Sequence, residues 1–338
     1  MTSTTKKVFF LGASGYIGGA IFVKLHDTFP KYEWVALNRN PKTNDRLLAA
    51  GFSRVVQGSH SDLEIIEALC AAADIVVNCA DADDLPLAQA VLRGHKSAYE
   101  RTGQRPVLVH TSGTGVVTDK AEGQLTAEAR EKIYNDNSEA DIRSIPEDKP
   151  HRDVDLTIFR AGEEGYVNAY IIAPSTIYAT GKGPVRNISQ QIPNIVRWTL
   201  KRGKGFVIGE GTNIWPGVHI DDLADLYALV LQKALKEDAV SSKESPFARF
   251  YFGTACEFNY GDVEKRVAEI LHKKGKISQK DADPVSLKEA IAFEPALGSV
   301  ARNSRTKADR GLALAWKPKS TSVFDTLEED IDQTILQG

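Results

Sequence analysis

The sequence predicts an α/β fold in which a doubly wound parallel sheet is joined to a smaller, mixed second part. Two observations carry this. Between Lys7 and Ser112 short apolar runs alternate with amphipathic helical stretches, the pattern of a parallel sheet covered on both faces. The first run, "VFFLG", also breaks into a helix through a turn of closely spaced glycines.

The elements follow in order. Strands are read at "VFFLG" from Val8, "EWVALN" from Glu33, "SRVVQG" from Ser53, "DIVVNCA" from Asp74 and "PVLVHTS" from Pro106. Helices are expected over Gly15–Phe29, Asn44–Ala50, Asp62–Ala72 and Leu85–Thr102, and right-handed crossovers at this spacing wind the sheet in both directions. Gly113–Pro150 is polar, charged and poor in periodicity, too long for an ordinary connection, and is expected to be a functional loop or lid. A helix then opens at Pro150 or His151, with the proline in its first turn, and ends near Gly165. It is followed by one buried strand, "AYIIAPSTIY".

Beyond Gly181 the alternation loosens. A helix over Ser189–Arg202, a strand "GFVIG", a long helix "HIDDLADLYALVLQKAL", a surface linker "KEDAVSSKESP", a strand "RFYFG" and two or three further helices are expected. The chain has 338 residues, which suffices for a large buried core. Its 42% hydrophobic content, 26% charge and net charge of −3 describe an ordinary soluble protein without the basic excess of a phosphate-backbone reader, so nucleic acid is not an expected partner. Three cysteines, none in a C-x-x-C pair, and seven scattered histidines suggest no disulfide framework and no structural metal. The polar start "MTSTTKK" leaves no apolar leader or span, so neither a membrane nor an export route is expected, and the location expected is the cytoplasm.

Gly12, Gly15 and Gly18 form G-x-x-G-x-x-G at the first strand-to-helix junction. Glycine there permits the tight turn, close backbone approach to a pyrophosphate and close helix packing, while the helix N-terminus offers free N–H groups to the phosphates. A dinucleotide is therefore expected on Gly12, Ser14, Gly15, Tyr16, Ile17 and Gly18. The second strand ends "VALNRN": a neutral Asn38 stands where an acid would hold a ribose 2′-OH, and Arg39, with Lys42 and Arg46 close behind, suits a 2′-phosphate. NADP(H) is the cofactor this implies, a solvated basic loop being the alternative. Ligands of such sheets bind beyond the carboxyl ends of the strands, which adds Ser59, Cys79, Ala80 and Thr111. Asp62 reads equally as a helix-start residue, and Cys79 as a small buried hydrophobe.

These residues resemble the extended short-chain dehydrogenase/reductase superfamily, in its NAD-dependent epimerase/dehydratase branch. The resemblance rests on "GASGYIGG", "HTSG", "APSTIYATGKGP", "VHIDDLADLY" and "LAWKP", which span most of the chain. It implies a Rossmann part over residues 1–178, completed by about 207–253, and a substrate-binding part from 179–206 and 254–338. It also implies a small-molecule substrate, a homodimer in many members, and Pro174, Thr176 and Ile177 lining the nicotinamide side.

The resemblance further implies a Ser or Thr that orients the substrate oxygen, matched here by Ser112, and a helical Tyr-x-x-x-Lys pair that exchanges a proton. That pair is missing. Tyr178 and Lys182 have the spacing, but Gly181 breaks the segment and it follows a strand, so the i,i+4 alignment is absent. The helix that should carry the pair has His151 and Asp155 at i,i+4. His151 (an imidazole), Tyr134 from the long loop, or water remain as proton donors.

Other residues read as structural. Asp221 of the His219–Asp221–Asp222 group suits a helix N-cap, and Trp198, Trp215 and Trp316 suit core or pocket walls. Arg302 and Arg305 suit either an anionic substrate or a solvated loop. The function expected is NADPH-dependent reduction of a small or medium organic carbonyl, imine or activated alkene. A non-catalytic NADP(H)-binding sensor and a nucleotide-sugar epimerase or dehydratase are the alternatives.

Overall fold

The computed structural model describes residues 5–237 and 244–337. In chain order its strands are β1 (Lys7–Leu11), β2 (Glu33–Asn38), β3 (Arg54–Gln57), β4 (Ile75–Asn78), β5 (Val107–Thr111), β6 (Tyr134–Asn135), β7 (Asn168–Pro174), β8 (Thr176–Tyr178), β9 (Lys204–Ile208), β10 (Ile214–His219), β11 (Phe250–Gly253), β12 (Cys256–Asn259), β13 (Gln279–Val285) and β14 (Thr306–Lys307). The helices are α1 (Tyr16–Thr28), α2 (Asn44–Ala49), α3 (Leu63–Ala71), α4 (Leu85–Thr102), α5 (Ala127–Glu131), α6 (Glu139–Arg143), α7 (Arg152–Glu164), α8 (Gln191–Arg202) and α9 (Ile220–Glu237). They continue with α10 (Tyr260–Lys273), α11 (Leu287–Phe293), α12 (Leu297–Val300), α13 (Asp309–Ala313) and α14 (Leu327–Gln337).

Seven strands form one wholly parallel sheet in the order β11-β7-β5-β4-β1-β2-β3. Val8–Leu11, Ile75–Val77 and Val107–Val109 are buried, as apolar runs covered by helices on both faces require. The order reverses between β1 and β4, and that switch point opens a crevice at the carboxyl ends of the two strands. Beside β1, Phe22 of α1 stacks on Phe52 with ring centroids 3.6 Å apart, and Phe10 meets both rings edge-on.

Several expectations need correction. "AYIIAPSTIY" is two strands: β7 lies in the large sheet, and β8 in a three-stranded sheet ordered β12-β10-β8. The break follows from Pro174, which has no N–H for the ladder, and from Ser175, whose N and Oγ both donate to Gly253 O (3.1 and 2.8 Å) and turn the chain. "GFVIG" lies in β9, which pairs with β13 as a separate two-stranded sheet. Five helices, not two or three, follow β11 among the described residues. Pro150 lies outside α7, which begins at Arg152 after a left-handed His151 (φ 67°). Residues 238–243 of the expected linker lie outside the described residues.

Gly113–Pro150 is no open loop. It holds α5, β6 and α6, and β6 pairs with β14 near the C-terminus. Asp136 accepts from Phe252 N (2.9 Å) and Arg310 N (2.8 Å), and Asn303 donates to Asp119 (2.7 Å), so side-chain bonds pin a segment that lacks an apolar period. No described helix is long and apolar enough to cross a membrane.

Candidate functional site

The cradle is built from backbone. Gly12 follows β1 at φ +84°, and a Cβ there would sit 2.3 Å from Cys79 O, across the switch point. A Cβ on Gly18 would sit 2.2 Å from Gly12 O. Gly15 N donates to Gly12 O at 2.9 Å, and Gly15 precedes α1 with neither a side-chain cap nor an acidic residue in the first turn. The first-turn N–H groups, including those of Tyr16, Ile17 and Gly18, thus keep the positive end of the helix for an anion, and the turn fits a dinucleotide pyrophosphate. Ser14 lies in the same turn, half-buried. The Tyr16 hydroxyl is already engaged: it donates to the carbonyls of Ala179 (2.6 Å) and Tyr178 (3.1 Å) and ties α1 to the exit of β8.

Around the crevice the other expected residues divide by how they are held. Asn38 is buried, with Nδ2 within 2.7–2.9 Å of Asn40 O, Thr43 Oγ1 and Asn44 Oδ1, so its amide shapes the β2–α2 loop. Arg39, Lys42 and Arg46 are exposed and make no ion pair with described residues. Asp62 takes bonds from Ser59 N (2.6 Å) and Ser59 Oγ (2.9 Å), which hold its carboxyl below the usual range and make it a local turn residue. Cys79 is buried beneath Gly12 and Gly18, and burial pushes its thiol up to about 12, as for a small hydrophobe. Ala80 N donates to Asn78 Oδ1 at 3.1 Å. The Thr111 hydroxyl meets Tyr227 OH at 2.7 Å, while that of Thr176 meets Tyr260 OH at 2.6 Å; Ile177 is buried in the same sheet.

At the carboxyl end of β5 the structure gathers residues far apart in sequence. Ser112 Oγ donates to Asp155 Oδ2 at 3.0 Å, both side chains being buried. Beside them His151 Nδ1 lies 2.7 Å from Asp83 Oδ1, which also accepts from His151 N at 3.0 Å. Its Nε2 faces the backbone after Ser112: a Cβ on either Gly113 or Gly115 would come within 3.0 Å of it. Asp83 orients the ring at one nitrogen and leaves the other for proton exchange, the arrangement of an oriented base. Pro174 O closes the opposite side, 3.9 Å from the same Gly113 position.

Asp83 was not foreseen. It sits in "DADD", where Asp84 caps α4 through Leu87 N (2.9 Å), and only the fold carries Asp83 across 68 positions to His151. Tyr134 is placed elsewhere, on β6, with its N on Arg305 O (3.0 Å) and Lys132 over its ring; burial pushes its hydroxyl up. Tyr178 and Lys182 take separate partners: the tyrosine donates to Ser320 O at 3.2 Å, while Lys182 pairs with Asp221 at 2.6 Å.

The residues read as structural also resolve. Asp221 lies inside the first turn of α9 rather than at its cap, and His219 Nδ1 accepts from Asp221 N (3.1 Å). Asp222 accepts from Lys319 N and Ser320 N, and Trp316 Nε1 donates to Asp222 O at 2.7 Å. Trp198 stacks on Phe293, and Trp215 is buried against Tyr260. Arg305 makes a bidentate pair with Glu257 (2.9 and 3.0 Å), and Arg302 is half-buried nearby.

Two family models match: one described as NAD(P)H-binding over residues 12–163, and the NAD dependent epimerase/dehydratase family over 153–241. Together the two matches run from residue 12 to residue 241, so the chain is similar to these families over most of its first two thirds. The NAD(P)H-binding model begins where the cradle begins, at Gly12. Among relatives, the oxidase ucsJ of an Acremonium species is 29% identical over 338 residues, covering 96% of each chain. Among solved structures, the PbgP3 protein of Burkholderia pseudomallei (TM-score 0.67, 15% identity, 98% of this chain and 96% of that one) shares the fold. So does the dTDP-glucose 4,6-dehydratase of Bacillus anthracis, solved in complex with NAD (TM-score 0.63, 16% identity, 99% and 97%).

Proposed function

We propose that this chain is an NADP(H)-dependent oxidoreductase of the NAD-dependent epimerase/dehydratase family that reduces a small or medium organic carbonyl, imine or activated alkene. The observation that carries the reading is the His151–Asp83 pair beside Ser112, which supplies an oriented proton carrier where the missing Tyr-x-x-x-Lys pair would stand. When bound, the reduced nicotinamide supplies the hydride. Gly12, Gly15, Gly18 and the first turn of α1 would hold the pyrophosphate, and Arg39, with Lys42 and Arg46, the 2′-phosphate. Ser112 holds the substrate oxygen, His151 exchanges a proton at Nε2, and Asp83 keeps the other ring nitrogen engaged. The substrate lies between the large sheet and the part formed by residues 179–206 and 254–338. The name of the Acremonium relative, an oxidase, supports redox chemistry over epimerisation.

Calorimetric titration with NADPH, NADP⁺, NADH and NAD⁺ tests the first half of this reading, and turnover of a carbonyl panel with Ser112→Ala and His151→Phe the second. Tight NADPH binding and carbonyl-dependent NADPH consumption that both variants lose are the expected results. Binding without any turnover leaves a sensor, and binding of no dinucleotide overturns the reading.

A further inference from the structure

Behind Ser112 lies a carboxyl that the reading above does not use. Asp155 is fully buried on α7 and accepts from Ser112 at Oδ2, while its Oδ1 has no partner among the described residues. The charged groups around it are Arg152 and Asp153 on its own helix, and Asp83 from the segment after β4 with His151 upon it. Arg152 is buried too, and its hydrogen bond goes to Ile142 O (2.7 Å) rather than to Asp155. Asp155 is therefore held by one neutral donor, and that donor is the hydroxyl expected to meet the substrate.

A serine has one hydrogen to give and two lone pairs to offer. Resting on the oxidoreductase reading, we propose that Asp155 is a positioning residue that decides which form of the substrate oxygen Ser112 receives. As a carboxylate, Asp155 takes the serine hydrogen, and Ser112 accepts from a substrate hydroxyl. As a carboxylic acid, it donates to Ser112 Oγ, and the serine hydrogen turns to a substrate carbonyl. No bond other than hydrogen bonds changes in this step. Burial pushes the Asp155 carboxyl up to about 7, against the opposing pull of Ser112 and Arg152, so both states are within reach at neutral pH. The substrate class this fits is a carbinol/carbonyl pair, with the carbonyl held best in mildly acidic solution and the carbinol in mildly alkaline solution.

Proton release on cofactor binding tests this without a known substrate. The oxidised nicotinamide is positively charged and the reduced one is not, so a carboxyl in the same site holds its proton less firmly beside NADP⁺. Titrations in buffers of different ionisation enthalpy at pH 7 should show NADP⁺ releasing about 0.4 proton more than NADPH, what a half-titrated carboxyl gives up when its pKa falls by about one unit. Asp155→Asn should abolish that difference with both cofactors still bound. Should that variant not fold, Ser112→Ala should move the pH of half-maximal difference upward, because it removes the bond that favours the carboxylate. With a carbonyl from the panel, KM should rise about tenfold from pH 6 to pH 8.5 in the wild type and stay flat in Asp155→Asn. An unchanged difference in Asp155→Asn, an unmoved midpoint in Ser112→Ala, or a flat wild-type KM overturns the inference alone. Failure of every dinucleotide to bind overturns the oxidoreductase reading and this inference with it.

Discussion

The turn at Gly12–Gly18 and the corner at Ser112–His151–Asp155 lie at the carboxyl ends of strands β1 and β5 of one sheet but are made in opposite ways. The turn is backbone throughout: its shape depends on the absence of Cβ atoms, and its charge on an uncapped helix start. The corner is made mainly by side chains in two pairs: Ser112, just after β5, bonds Asp155 of α7 at 3.0 Å, and Asp83, after β4, bonds His151 at the start of α7 at 2.7 Å. A backbone device tolerates almost no substitution at its glycines. A side-chain device can change chemistry while the fold stands.

Substitutions can break that contrast, beginning with the turn. Gly12→Val should cost about 3–5 kcal/mol in chemical denaturation and abolish dinucleotide binding in calorimetry, because a Cβ at φ +84° would meet the Cys79 carbonyl at 2.3 Å. A smaller loss would mean that the β1–β4 crevice yields more readily than its geometry suggests. At the corner, the proposed function expects Ser112→Ala and His151→Phe to lower kcat by about 10²–10⁴-fold while leaving NADPH affinity within about threefold. Equal losses in affinity would show that turn and corner are one unit. Arg39→Asp should weaken NADPH about 10–100-fold and spare NADH, as removal of a charge-assisted phosphate contact does. If both cofactors weaken alike, Arg39 supports the loop and not the phosphate.

The smallest effect is on stability. The folded pKa of Asp155, about 7, lies above the ordinary aspartate value, so the folded protein binds more protons than the unfolded one between about pH 4 and 7. Its contribution falls as pH rises through that window and is flat above it. Asp155→Asn lacks this loss, so its melting temperature relative to wild type should climb by about 3–4 °C between pH 5 and pH 8 in calorimetric scans. A relative melting temperature that fell with pH would place Asp155 among the stabilising carboxylates.

How much was legible follows from this contrast. Strands β1 to β5 and helices α1 to α4 announce themselves through period, and the G-x-x-G-x-x-G turn through spacing, because neighbours in sequence make those contacts. The His151/Asp155 spacing was visible as well, though not the division of labour, in which Asp155 turns to Ser112 and His151 to Asp83. For Tyr134 and Arg305, residue type says what a side chain can do but not what it touches. Arg305 is taken up by Glu257, and Tyr134 stands on a strand paired near the C-terminus. Segment 113–150 looked like a lid because its order comes from Asp119 and Asp136 reaching elements that lie more than a hundred residues ahead.

By itself, then, the sequence determined the doubly wound sheet, the glycine-rich turn and the absence of a helical Tyr-x-x-x-Lys pair, each a matter of local period, glycine placement or a simple count. Only the tertiary structure decided that "AYIIAPSTIY" divides between two sheets, that the long polar segment is pinned, and that Ser112 leans on a buried aspartate while His151 leans on an exposed one. The physical reason is that periodicity encodes which face of an element is buried. The pairing of a polar group depends instead on which distant element the folded chain brings within about 3 Å of it.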